Sequence, residues 1–266
     1  MSGRIWLIGA GNMGGAILRG WLGSGMDPST ILVIDPIAKS LPAGVEQVAE
    51  LPVDEVPDSI LLAVKPQQLS ELAGLYGGRA GPRLLLSVLA GVEVSTLRAS
   101  FGATHVVRAM PNLPAAIGKG VTVLFNDDGD AALRAEVATL VEPLGLVEWI
   151  EQEGLFDAVT AVSGSGPGFV FRFIEAMAEA GARLGLPQDQ ALRLALATVE
   201  GSAVMARSSD VDPATLADRV ASPGGTTREG LNVLDENNAI KTLMARTLEA
   251  TARRNAELAA AAVRAG

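Results

Sequence analysis

The chain contains no cysteine. That absence excludes disulfides, thiolate nucleophiles and cysteine-ligated metals. It has a single histidine, His105, beside Val106 and Val107 in an expected strand. Such a residue reads as structural, and histidine-rich metal sites are excluded with it, so no metal is expected. No apolar run approaches the roughly 20 residues that a membrane span needs. Gly9, Gly11, Gly14 and Gly15 interrupt the apolar N-terminal stretch, which argues against a signal peptide and for a cytoplasmic protein. Positive charge is also scarce: 21 Lys and Arg stand against 30 Asp and Glu, a net charge of −9. A nucleic-acid surface needs a basic face, so that class is excluded. An anionic ligand must then be held locally, by helix N-termini and a few basic residues.

Aromatic residues make up 4% of the chain, yet 48% of it is apolar, mainly aliphatic, as in a well-packed globular protein. With 266 residues it suits one large domain or two modest ones. Short apolar runs at Arg4–Ile8, Ile31–Ile34, Ile60–Val64, Leu84–Val88, His105–Arg108, Val121–Phe125 and Leu146–Trp149 read as strands. Helical patterns alternate with them, at Asn12–Ser24 and most clearly at Asp130–Leu144. Strands alternating with helices imply a mostly parallel sheet covered on both faces. After about Glu153 the strand signal stops. Helices are expected at Phe156–Val162, Gly168–Leu184, Gln188–Ala206, Ala214–Val220 and Asn238–Arg264. Pro167, Pro187 and Pro213 stand near helix starts, where a missing N–H costs little. The expected fold is α/β: an N-terminal doubly wound sheet over residues 1–153, then an all-α region over 154–266.

Gly9-Ala10-Gly11-Asn12-Met13-Gly14 fits the pattern GxGxxG, after an apolar strand and at the opening of a helix. That is a Rossmann-like dinucleotide loop. Gly9 permits the tight turn, Gly11 lets a pyrophosphate approach the backbone, and Gly14 lets helix and strand pack closely. Asp35 ends the second strand, where an acidic side chain accepts hydrogen bonds from the adenosine ribose. A 2′-phosphate would meet its charge, and the next basic residue is Lys39, so the cofactor choice leans to NADH over NADPH. The rival reading is that Asp35 caps a turn before Pro36. Ala63-Val64-Lys65-Pro66 and Arg108-Ala109-Met110-Pro111-Asn112 end two further strands on the edge where doubly wound sheets bind ligands. Lys65 and Asn112 are contact candidates there. Ala63, Val64, Pro66, Met110, Pro111 and Ala90 are counted with them.

Ser222-Pro223-Gly224-Gly225-Thr226-Thr227-Arg228 lies between Leu216 and Val220 on one side and Leu231 and Leu234 on the other, at near-helical spacing. A glycine loop opening a helix leaves N–H groups and hydroxyls free, a seat for a small carboxylate. One end of the chain would hold a dinucleotide and the other a small acid. Ser163-Gly164-Ser165-Gly166-Pro167 joins two helices, as a tight turn or as a site floor lined by hydroxyls. Ile240, Leu243, Met244, Leu248, Ala252 and Ala259 form an apolar stripe on the last helix, with Glu249 and Arg253 expected to pair at i,i+4.

Together with Phe156-Asp157-Ala158-Val159-Thr160-Ala161-Val162 before Ser163 and Val220-Ala221 before Ser222, these motifs resemble the pyrroline-5-carboxylate reductases over almost the whole chain. The resemblance implies reduction of 1-pyrroline-5-carboxylate to L-proline by NADH or NADPH. It implies a C-terminal dimerisation domain, a homodimer with the active site completed by the neighbouring subunit, and in some members a pentamer of dimers. It also implies that Ser222, Gly224, Gly225 and Thr226 hold the substrate carboxylate, with Thr227 as the catalytic residue whose hydroxyl contacts the ring nitrogen. The rival for Thr227 is a helix cap. Leu113 and Gly168 depart from the Thr and Ala common in the family. The competing functions are reduction of another cyclic imine, a hydroxyacid dehydrogenase, and a dinucleotide-binding protein without catalysis. Hydroxyacid dehydrogenases of this plan need a lysine early in the helical region, and the lysines here fall only at 39, 65, 119 and 241.

Overall fold

The computed structural model describes residues 4–37 and 41–265, with side chains to residue 260. Lys39 lies outside the described residues. Eight strands form one sheet: β1 (Ile5–Ile8), β2 (Ile31–Ile34), β3 (Glu46–Val48), β4 (Ser59–Leu62), β5 (Leu84–Ser87), β6 (His105–Pro111), β7 (Gly120–Phe125) and β8 (Gly145–Trp149). Their order is β3-β2-β1-β4-β5-β6-β7-β8. Every neighbouring pair is parallel except β6 and β7. The strand order reverses at β1, so β1 and β4 leave a crevice at their carboxyl ends, the expected ligand position.

The apolar runs are uninterrupted because both faces of the sheet are covered. Every residue of β1, β2, β4 and β5 is buried. Alternation along β1 divides them: Ile5 and Leu7 enter one core, Trp6 and Ile8 the other. Ile17, Leu18 and Trp21 of α1 (Asn12–Gly23) fill the first core, with Leu133, Val137 and Leu140 of α4 (Ala131–Val141). Leu69 and Tyr76 of α2 (Leu69–Tyr76) fill the second, with Val94, Leu97 and Phe101 of α3 (Val94–Phe101). Asp130 caps α4, its carboxylate accepting from the Ala132 N–H at 2.8 Å. Pro143 limits the expected helix to Leu144, and its last turn is 3₁₀.

Two elements depart from the pattern read in the sequence. β3 has the polar sequence Glu-Gln-Val and is held by its parallel pairing with β2. The expected helix over Phe156–Val162 is a short α5 (Phe156–Val159) that passes into a π-helical turn over Thr160–Gly164. There the Ser165 N–H donates to the Thr160 carbonyl at 2.8 Å. Gly164 and Gly166 favour no particular helix, which lets the wider turn form.

The chain divides into two compact units, Met1–Ser165 with Thr251–Gly266, and Gly166–Ala250. The second holds α6 (Gly166–Arg183), α7 (Gln188–Ser208), α8 (Pro213–Val220), α9 (Thr226–Asp235) and the start of α10 (Ala239–Ala265). Asn237 and Asn238, at φ 52° and 56°, end one helix and start the next. Ile174, Ala178 and Ala195 are its buried core, with Val199 packed against them. The last residues of α10 belong to the first unit, where Asn255 Nδ2 donates to Asp157 Oδ1 at 2.7 Å. The expected Glu249–Arg253 pair does not form. Arg254 instead binds Glu257 at 2.9 Å.

Candidate active site

The glycine loop has the geometry its residue types require. Gly9 has φ +92°, and a Cβ there would lie 2.7 Å from the Ala63 carbonyl oxygen. A Cβ on Gly14 would collide with the Gly9 carbonyl oxygen, so α1 could not approach β1 as it does. Gly11 is the N-cap of α1 and faces open space, with no atom within 4 Å of where its Cβ would stand. No side chain caps α1, and its first turn holds no acidic residue. The bare N–H groups and the positive end of the helix suit a pyrophosphate there.

A cleft of about 740 Å³ opens beside this loop. Gly9, Gly11, Asp35, Ala63, Val64 and Lys65 all line it. Asp35 is buried at 6% exposure. Its Oδ2 accepts from the Ala10 N–H at 2.8 Å and its Oδ1 from the Ile37 N–H at 2.9 Å. It therefore braces the glycine loop as well as turning the chain at Pro36. Lys65 is exposed at the N-cap of the 3₁₀ turn Pro66–Gln68, where its N–H donates to Gln68 Oε1 at 3.1 Å. The cleft also takes in Glu50, Gln68 and Arg79, which sequence reasoning missed. Glu50 follows β3, a strand with no apolar signature to reveal it.

The third strand end is organised differently. Met110 and Pro111 are buried within β6, and Ala90 is exposed in the turn after β5. None of the three lines the cleft. Asn112 Nδ2 donates to the Ser163 carbonyl at 3.0 Å, and its Oδ1 accepts from the Val121 N–H at 2.9 Å. Its amide thus ties the end of β6 to β7 and to the π-helical turn. Behind it Arg108 donates to Glu153 Oε1 at 2.8 Å, an oxygen that the Val94 N–H also reaches. The Arg108 guanidinium lies 4.1 Å over the Phe156 ring. His105, at the opposite end of β6, pairs with Asp128 at 2.8 Å.

In the helical unit, Ser222-Pro223-Gly224-Gly225 forms a β-turn closed by the Gly225 N–H on the Ser222 carbonyl at 3.0 Å. Proline at its second position and a glycine at φ +69° at its third make it a type II turn. Gly225 is the N-cap of α9, which no side chain caps. Thr226 and Thr227 are its first two residues, and both are exposed. The Thr227 hydroxyl makes no hydrogen bond among the described residues, so the helix-cap reading of it does not hold. Arg228 fixes the loop to α8, donating to Asp218 Oδ1 at 2.7 Å. The exposed N–H groups at the start of α9 can receive a carboxylate.

The family described as pyrroline-5-carboxylate reductase dimerisation matches residues 153–258. That described as NADP oxidoreductase, coenzyme F420-dependent, matches residues 4–91. A pyrroline-5-carboxylate reductase of Pseudomonas aeruginosa is 38% identical, over 96% of this chain and 97% of its own. One from Synechocystis is 36% identical, over 97% and 99%. Among solved structures, a pyrroline-5-carboxylate reductase of Coxiella burnetii superimposes with a TM-score of 0.84 at 32% identity, over 97% of this chain and 99% of that one. The Plasmodium falciparum pyrroline carboxylate reductase with NADP bound does so at 0.83 and 26% identity, over 97% and 98%.

Proposed function

We propose, since the chain belongs to the pyrroline-5-carboxylate reductase family, that its two glycine-rich loops divide one reaction between them. The reaction is reduction of the C=N bond of 1-pyrroline-5-carboxylate to L-proline. The loop Gly9–Gly14 seats the dinucleotide and the loop Ser222–Thr227 seats the acid. The bound dihydronicotinamide supplies a hydride to the imine carbon.

A protonated imine is already electrophilic, so the chain needs no strong nucleophile. Its task is placement. Ser222 and the N–H groups of Gly224 and Thr226 hold the substrate carboxylate, while the Gly225 N–H, which the sequence reading counted with them, closes the turn on the Ser222 carbonyl. The Thr227 hydroxyl meets the ring nitrogen, accepting from its N–H in the substrate and donating to the amine of the product. Asn112 and Arg108 position strand β6, and Asp35 braces the dinucleotide loop. The observation that carries this reading is the uncapped start of α9, with two exposed threonines behind a type II turn.

NADH is the preferred cofactor in this reading, because Asp35 brings a carboxylate to the ribose side of the cleft. The protein acts as a cytoplasmic homodimer, in which the partner subunit completes the active site, and five dimers make the larger assembly that the family resemblance implies. The test is oxidation of NADH, and separately of NADPH, by purified protein with 1-pyrroline-5-carboxylate. Formation of proline with NADH the more efficient is the expected result. Binding of both dinucleotides with no turnover would sink the reductase reading, and a higher efficiency with NADPH would sink the cofactor preference.

A further inference from the structure

Two carboxylates, Asp35 and Glu50, line the cleft where β2 and β3 end, and they differ in what the fold asks of them. Asp35 is committed to the framework. Its bond to the Ala10 N–H ties β2 to the glycine loop, and its bond to the Ile37 N–H closes the turn at Pro36. Its main-chain carbonyl also accepts from Gln47 Nε2 at 3.0 Å. Removing this side chain leaves a loop N–H without its acceptor and loosens the turn that any dinucleotide must use.

Glu50 has no such duty. It is exposed, and among the described residues it makes no hydrogen bond or ion pair. Yet its place is set by the sheet. β3 lies parallel to β2 with Val48 opposite Ile34, and the Asp35 N–H donates to the Val48 carbonyl at 3.1 Å. Two residues beyond Val48, Glu50 comes level with Pro36 and lines the cleft with Asp35, Pro36 and Ile37.

We propose that Glu50, and not Asp35, is the replaceable determinant of cofactor choice, holding a second negative charge where the 2′-phosphate of NADPH would lie. This rests on the dinucleotide site described above. The charge around the cleft agrees with it. Its described lining residues include three carboxylates, Asp35, Glu50 and Glu71, and two cations, Lys65 and Arg79. Arg79 is engaged elsewhere, donating to the Pro52 carbonyl and lying 5.8 Å over the Tyr76 ring. A phosphate entering beside Asp35 therefore meets like charge from two neighbouring strand ends. At an exposed position that repulsion changes affinity several-fold and is weakened by salt.

The experiment compares kcat/KM for NADH and NADPH in the wild-type protein and in Glu50→Gln, Glu50→Lys and Asp35→Ala. The NADPH-to-NADH ratio is expected to rise about 3-fold in Glu50→Gln and about 10-fold in Glu50→Lys, through the KM for NADPH and less so at high salt. Asp35→Ala is expected to lose efficiency with both cofactors. A ratio that moves less than about twofold in both Glu50 variants overturns the proposal. So does an Asp35→Ala protein that switches to NADPH while keeping its efficiency with NADH. Titrating NADH fluorescence with the wild-type protein keeps the two levels apart. No NADH binding would sink the dinucleotide site itself and the proposal with it, whereas tight NADH binding with an unmoved ratio in Glu50→Lys would sink Glu50 alone.

Discussion

Thr227 occupies the second position of α9, and its hydroxyl bonds to nothing else among the described residues. The fold therefore loses no hydrogen bond when it is removed, and alanine is the better helix former. Thr227→Ala is expected to lower turnover by ~10-fold or more with its thermal midpoint unchanged or slightly raised. Thr227→Ser should keep most of the activity. Full turnover in the alanine variant would leave Thr227 without a chemical role, and a variant that only melted earlier would make its role structural. The glycine loop allows a sharper contrast. A Cβ at Gly11 meets nothing within 4 Å in the chain, whereas one at Gly14 strikes the Gly9 carbonyl. Gly11→Ala should fold normally and bind NADH ~10-fold or more weakly, because the methyl takes the room of the pyrophosphate. Gly14→Ala should lose stability as well, by about 1–3 kcal/mol. Calorimetry and NADH titration on the two variants measure both effects, and equal melting temperatures would refute the assigned packing role of Gly14.

Elements with an apolar period were legible in the sequence, and those held only by their neighbours were not. β1, β2, β4 and β5 announce themselves because complete burial demands unbroken apolar runs. β3 carries Glu46 and Gln47 and is a strand only because β2 offers it a parallel edge. Its absence from the sequence reading hid Glu50 too. The π-helical turn at Thr160–Gly164 was equally hidden, since its glycines fit several turns and Asn112, 51 residues away, takes the Ser163 carbonyl. Another long-range tie yields a pH prediction. Arg83, just before β5, reaches Asp58 at 3.0 Å and Glu136 of α4 at 2.5 Å. Its guanidinium holds the Asp58 carboxyl below its ordinary range, against a smaller opposing effect of burial. A carboxyl pKa lowered by folding contributes stability above its unfolded value, about 3.9, and loses that contribution as pH falls through the folded value. The melting temperature should therefore hold from neutrality to about pH 5 and drop below about pH 4. In Arg83→Ala part of that acid slope should vanish. An identical slope in wild type and variant would mean that the staple contributes nothing.

At the scale of the whole molecule, the helical unit buries few large apolar side chains of its own. Ile174, Ala178, Ala191, Ala195 and Ala221 are its buried apolar residues, four of the five being alanine, while Phe171, Phe173, Leu194 and Leu243 are each about half exposed. A groove of about 570 Å³ runs along α6 and α7, lined by Phe171, Ile174, Leu192 and Leu196. Scattered apolar residues on a surface need no explanation, but apolar residues that line a groove between two helices with so few buried side chains mark an interaction face. The match of residues 153–258 to a dimerisation family names the partner class: a second copy of this chain. Leu243, part of the stripe read in the sequence, is exposed on α10, so a charge there disturbs the assembly before it disturbs the protomer. Sedimentation of Leu243→Glu should show monomer at concentrations where the wild type is associated. Its activity should fall with the loss of the partner, and its melting temperature should no longer rise with protein concentration, because only an associating native state gains stability by mass action. A monomeric variant with full activity would show that each chain carries a complete site. A variant still associated would move the interface away from the α10 stripe and onto the groove along α6 and α7.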